Sequence, residues 1–457
     1  MIFSAPRVAV IDDNETHLKA IIDTIQAFGS SCVGMQFKPE EELYGIDTYL
    51  LRGVRCLFID MHLVPGTTLP SSDDTRAFGI LAGVLQKIIS RDGGPYILLL
   101  WTEYRDKIAG LRNYLDSQDA FPPELYYAKP VAVIGIPKSE YIDILTGNIR
   151  EPGQLKTVIQ DALKEVTSFA SLLTWEVEVL SAAKDVLVSI VDLVPPNRRH
   201  SHEFAQELGV LLSRLACEAV GEPNVATAPR AAIIQALSPF LFDKLTSCES
   251  LAGDLWVKLI NQHRDEQGTL GSKEAGTINN VFHLSFPEVS SISPVDWGAV
   301  IKWPFGDIVE DFEKITGLTF KTLLCEDFKM RSSALLLCEP VLVRVGAACD
   351  YAQNHKGPIP YFLGIKIPDE AQVQTDRKEK PIKKVDAIWE SPVFYSSIST
   401  EKSWRLFVHC RFGFTFLAQE CSEWTVQFRI REQLLTQLLF FASHYSSRPG
   451  IISMKPE

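Results

Sequence analysis

The sequence predicts an α/β N-terminal domain built on a doubly wound, five-stranded parallel sheet. A long linking helix follows, and then a helical and α+β C-terminal region. Three observations predict this. Short apolar runs alternate with helix-spaced stretches through the first 130 residues, and each run ends in a polar residue. A heptad-like apolar pattern begins at Leu155. Beyond residue 270, strand-like runs follow one another before a last helical stripe.

Val8-Ala-Val-Ile11 is the kind of β-branched run that a strand buried on both faces shows. Residues 15 to 28 carry Leu18, Ile21, Ile22 and Ile25 at helical spacing, and Gly29 ends them. A second strand is expected at 32 to 37, a helix at 40 to 51, and a third strand at 54 to 59. Residues 64 to 74 (VPGTTLPSSDD) are rich in turn formers and predict a loop. A helix at 78 to 89, a strand at 96 to 101, a helix at 107 to 115 and a fifth strand at 125 to 128 complete the pattern. Such alternation implies a parallel sheet with its ligand site at the carboxyl ends of the strands.

From Leu155, apolar residues fall at 155, 159, 162, 166, 169, 173, 180, 183, 187 and 190, and only Glu176 breaks the seam. One helix of about 40 residues, some 60 Å long, is expected. The spacing suits a homodimer through residues 155 to 190, or equally a long helix packed on its own chain. Helices are expected at 201 to 220 and 229 to 251, strands at 335 to 345, 361 to 367, 385 to 389 and 404 to 416, and a charged connector at 371 to 384. A final helix carries Ile430, Leu434, Leu438, Phe441 and Tyr445. The expected domains are 1–150, 151–196, 197–270 and 271–457.

A net charge of −12 argues against a protein whose main work is holding nucleic acid, since phosphate contacts need a basic surface. No apolar run approaches the ~20 residues of a membrane helix. The N-terminus lacks a charged segment followed by an apolar one, so a cytoplasmic protein with no membrane contact is expected. The nine cysteines are scattered without a CxxC pair, which suits reduced thiols.

The strand ends carry the chemistry. Asp12 and Asp13 follow the first strand and Asp60 the third, a set of oxygen donors suited to Mg²⁺. Three clustered carboxylates repel one another unless a cation neutralises them. An aspartate in such a cluster can attack a phosphoryl group and become an acyl phosphate. Thr102 after the fourth strand and Lys129 after the fifth are placed to bind phosphoryl oxygens. The bland alternative is that Asp12, Asp13 and Asp60 merely cap helices, which leaves Thr102 and Lys129-Pro130 unexplained.

On these residues, positions 7 to about 150 resemble the receiver domain of two-component response regulators. The resemblance implies Mg²⁺ held by Asp12, Asp13 and Asp60, and Asp60 as phosphoacceptor. It implies Thr102 as the switch hydroxyl, Lys129 as the phosphate-pairing lysine, and Tyr126 as the aromatic switch residue. It further implies a sensor histidine kinase as partner. Three departures stand out. Pro65 lies five residues after Asp60 rather than four. Glu103 follows Thr102 where the family has a small residue, and there it can crowd the site or shield an acyl phosphate. His62, two residues after Asp60, can touch the phosphoryl group or simply face solvent.

The second half shows no helix-turn-helix, no P-loop, no G-x-S-x-G and no H-E-x-x-H. Cys349 to His355 contains metal-ligand residue types without a fourth ligand at a fitting spacing, so a buried turn is the plainer expectation. His409-Cys410 reads as core. Two outputs are expected as alternatives. One is a non-enzymatic interaction module or phosphate sink, resembling the buffering receivers of bacterial anti-phage two-component systems. The other is an effector enzyme with its site in residues 197–457.

Overall fold

The computed structural model describes residues 6–38, 51–63, 74–143, 149–164, 166–247, 253–266, 268–287, 291–306, 310–328, 330, 332–347, 351, 357–372, 385–396 and 401–447. Nearly all of the expected helix at 40 to 51, Pro65 with its loop, Cys349 and His355, and most of the connector at 371 to 384 lie outside the described residues.

Contacts divide the chain into two units. The first comprises Met1–Ser181 with Cys248–Arg264, and the second Ala182–Ser247 with Asp265–Glu457. The first unit holds strands β1 (Val8–Asp12), β2 (Cys32–Gln36), β3 (Cys56–Asp60), β4 (Ile97–Trp101) and β5 (Ala132–Ile136). They form one all-parallel sheet in the order β2-β1-β3-β4-β5, as the alternating pattern predicts. Helix α1 (Glu15–Ala27) starts at Asn14, whose side chain accepts from the backbone N–H groups of Thr16 and His17. Helices α2 (Asp74–Ile88) and α3 (Ile108–Leu115) and the short α4 (Lys138–Tyr141) follow in chain order.

Strand alternation divides the core between the two faces of the sheet. Ala9, Ile11, Leu57, Ile59, Leu98 and Leu100 pack with Leu81 and Leu85 of α2 and Leu111 of α3. Val10, Phe58, Ile97, Leu99 and Trp101 pack with Ile21 and Ile25 of α1 on the other face. Leu98, Leu99 and Leu100 are fully buried, and each contributes about 1.5–3 kcal/mol of burial.

Two expectations are corrected. Residues 125 to 128 are not the fifth strand. Pro122 and Pro123 open a 3₁₀ helix, Pro123–Ala128, and the strand lies further on at Ala132–Ile136. Proline supplies no N–H to a central ladder and favours the first turn of a helix, so the chain turns there instead of pairing. The 40-residue helix is also interrupted. Helix α5 (Pro152–Lys164) ends before α6 (Thr167–Val191) begins. Leu155 and Ala162 of α5 and Phe169 of α6 join the core that α1 covers.

Glu176, the one charge in the apolar seam, has a definite role. Its carboxylate accepts from Arg7 Nη2 at 2.7 Å and from Arg55 Nε at 3.1 Å. Burial opposes its charge, but the hydrogen bonds and charges of Arg55 and Arg7 outweigh it and hold the carboxyl below its ordinary range. These arginines flank the starts of β1 and β3, so the cluster fixes the register of α6 on the sheet. Because all three groups are partly solvated, Glu176→Gln is expected to cost about 1 kcal/mol. Thermal unfolding of the variant should show a loss at pH 7 that shrinks as pH falls and the wild-type carboxylate is protonated.

The second unit takes in the end of α6 from Ala182 and continues with helices α7 (His202–Val220), α8 (Glu222–Thr227) and α9 (Pro229–Ser247). The chain then returns to the first unit with α10 (Leu255–His263) and leaves again through α11 (Ser272–His283). An eight-stranded sheet follows, made of β6 (Leu284–Ser285), β7 (Ala299–Lys302), β8 (Glu339–Arg344), β9 (Ile359–Pro368), β10 (Ile388–Glu390), β11 (Phe394–Ser396), β12 (Lys402–Phe416) and β13 (Val426–Ile430). Its pairings are antiparallel, in the order β10-β12-β9-β8-β7-β13-β6 with β11 against β12. The expected final helix is present as Glu432–Ser446, with Leu434, Leu435 and Leu438 buried against the sheet. Among the described residues, no helix is long and apolar enough to cross a membrane. None of the seven described cysteines is joined in a disulfide.

Candidate functional site

The carboxyl ends of β1 and β3 bring Asp12, Asp13 and Asp60 together. One carboxylate oxygen from each lies within 4.8 Å of the others. Asp12 ends β1 and is 1% exposed, and its Oδ1 accepts from the Asn14 N–H at 2.8 Å. Asp60 ends β3, and its Oδ1 accepts from the His62 N–H at 3.2 Å. Thr102 follows β4 and is buried, and its Oγ1 accepts from the Tyr104 N–H at 3.1 Å.

The lysine of this site is Lys138, not Lys129. Lys138 Nζ lies 2.7 Å from Asp60 Oδ2 and 3.0 Å from Asp12 Oδ2. Lys129 follows the 3₁₀ helix rather than a strand, and its Nζ pairs with Asp116 at 2.5 Å. The displaced strand explains the exchange. The apolar run Val131-Ala-Val-Ile-Gly-Ile136 ends beside the acids, and Pro137-Lys138 comes next. That run was visible in the sequence, but Lys129-Pro130 drew the assignment to the wrong side of it. Tyr126 moves with the same correction. It sits in the 3₁₀ helix, 54% exposed. Three residues before Lys138 stands Gly135, where even a Cβ would come within 1.9 Å of Ile108 Cδ1.

Burial and mutual charge shape the electrostatics of the cluster. Burial raises the Asp12 carboxyl to about 6, with Lys138 opposing the rise and Asp60 adding to it. Burial works against the charge of Lys138, but Asp60 and Asp12 outweigh it, and its ammonium is held above the ordinary lysine range. With Asp12 ionised, three carboxylates face one ammonium. The excess of two negative charges on oxygen donors fits a divalent cation such as Mg²⁺.

The rim is set by neighbouring side chains. The His62 and Tyr104 rings are 4.6 Å apart, and Lys107 lies over the Tyr104 ring at 5.0 Å while pairing with Asp74 at 2.6 Å. Burial lowers the pKa of His62 and favours its neutral form, although Asp60 opposes this. Glu103 is not turned loose at the mouth, because Ser139 Oγ donates to its Oε2 at 2.5 Å. In the second unit, His409 Nε2 lies 2.8 Å from Asp327 Oδ2, but the imidazole is fully buried between Phe328 and Phe412. That pair belongs to the core, as the apolar setting of His409 predicts.

Comparison with protein-family models, with curated proteins and with solved structures finds no match to this chain. Fold and site therefore define the class by themselves: a five-stranded parallel α/β domain with an acidic cluster at its strand ends.

Proposed function

We propose that the first unit is a receiver-type signalling domain that accepts a phosphoryl group on Asp60 from a histidine kinase. The observation that carries this reading is Lys138 bridging Asp60 and Asp12 beside the acid triad. The Asp60 carboxylate forms an O–P bond as the P–N bond of the donor phosphohistidine breaks, and the imidazole leaves with the bonding pair. Lys138 offsets charge on the transferring oxygens, and the Thr102 hydroxyl donates to one of them. Asp12, Asp13 and Asp60 would hold Mg²⁺, which supplies charge neutralisation on the phosphoryl group.

For the output we favour an interaction module or phosphate sink, because the sequence of the second half carries no recognisable catalytic motif. The acidic composition suits a protein partner better than nucleic acid. The test follows the phosphorylated fraction over time, with Mg²⁺ and either phosphoramidate or a phosphorylated histidine kinase. Wild type should form an adduct and Asp60→Ala none. A long-lived adduct that drains phosphate from a competing receiver supports the sink. Equal labelling of Asp60→Ala refutes the reading.

A further inference from the structure

Two segments carry Thr102 and Lys138 into the site, and a ladder of links joins them. Thr102 N donates to Ile136 O at 3.0 Å, and Lys138 N donates to Thr102 O at 3.4 Å. The next link is between side chains, the Ser139 hydroxyl on the Glu103 carboxylate. A further one follows, with Arg105 Nη2 3.6 Å from Glu140 Oε1. Glu103 and Ser139 are the immediate chain neighbours of Thr102 and Lys138.

Lys138 needs such a hold. It is the first residue of α4, a turn of four residues whose N-cap is Pro137 with no side-chain cap. A single helical turn is not stable by itself, because nucleation fixes several dihedral angles for one hydrogen bond. Among the described residues, the backbone ladder from the Thr102 segment reaches Lys138 through the long 3.4 Å bond. On an exposed surface the Ser139–Glu103 bond contributes little to global stability. Its consequence is local, since it closes the ladder on the outer side of the two groups that must face one phosphoryl group together.

We propose that Glu103 and Ser139 are positioning residues, a latch that sets Lys138 against Thr102 and thereby the rate at which Asp60 is phosphorylated. This rests on the reading of the site given above. The latch also accounts for a carboxylate directly after Thr102, since the hydroxyl of Ser139 directs it away from free rotation at the mouth.

A double-mutant cycle between the latch and the lysine tests this. The rate of Asp60 phosphorylation by phosphoramidate in Mg²⁺ is measured for the full chain, for Ser139→Ala, for Lys138→Ala and for the double variant. Ser139→Ala should slow the reaction about tenfold in the wild-type background and have no further effect once Lys138 is gone. Glu103→Ala should match Ser139→Ala, whereas Glu103→Gln keeps an acceptor for the hydroxyl and should retain most of the rate. Melting temperatures of the latch variants should stay close to wild type. An equal slowing by Ser139→Ala in both lysine backgrounds overturns the latch, and so does no slowing at all. If wild type itself takes no phosphate on Asp60, the reading of the site fails instead, and the two failures are thereby separate.

Discussion

Lys138→Ala is expected to slow phosphorylation of Asp60 by about 10²-fold, the loss typical of removing one preorganised charge from a transferring group. Lys129→Ala is expected to leave the rate within about twofold, because it removes only an exposed ion pair with Asp116. The contrast follows from geometry, since Lys138 reaches Asp60 at 2.7 Å while Lys129 is committed elsewhere. Quench-flow or gel-shift time courses on the two variants decide it. Equal losses, or a larger loss for Lys129→Ala, would return the site to the arrangement first expected from the sequence. Lys138→Ala also leaves the buried Asp12 and the partly buried Asp60 carboxylates without their cation, so its ion-free form should melt lower than wild type and recover with Mg²⁺.

Mg²⁺ affinity should fall steeply in mild acid. The Asp12 carboxyl has its pKa raised from 3.8 to about 6, chiefly by burial, so below pH 6 a proton competes with the metal. With one proton displaced, the apparent affinity should drop by about tenfold for each pH unit below that point. The sign for stability runs the other way in the ion-free protein. A carboxyl whose folded pKa is raised favours the folded state while it is protonated. That contribution is lost as pH rises through about 6. Mg²⁺ should therefore raise the melting temperature strongly at pH 7.5 and little at pH 5. A melting shift independent of pH over this range would show that Asp12 is not a ligand.

The elements of the first unit were legible in the sequence to different degrees. Strands β1, β3 and β4 stand out because each is a compact, almost wholly buried apolar run, and the acids at the ends of β1 and β3 followed directly, whereas β2 is a half-buried edge strand. The fifth strand was misplaced because a lysine-proline pair near the expected position outweighed a longer apolar run a few residues on. The difference lay in Pro122-Pro123, which commits the intervening chain to a turn. Lys138 was missed for that reason alone. The break between α5 and α6 falls within a continuous apolar spacing, so periodicity gives no sign of it. Glu176 was visible as the flaw in that spacing, but its partners Arg7 and Arg55 lie 169 and 121 residues away in the chain. No local pattern links residues at such separations, and the same is true of the Ser139–Glu103 latch.

The most direct measurement is the mass of the Asp60 peptide after brief exposure of the wild-type chain to phosphoramidate, with and without Mg²⁺. The account predicts one phosphoryl group on Asp60, absent after chelation and labile to hydroxylamine, as an acyl phosphate is. A phosphoryl group on another residue, or labelling of Asp60 that ignores the metal, would contradict it.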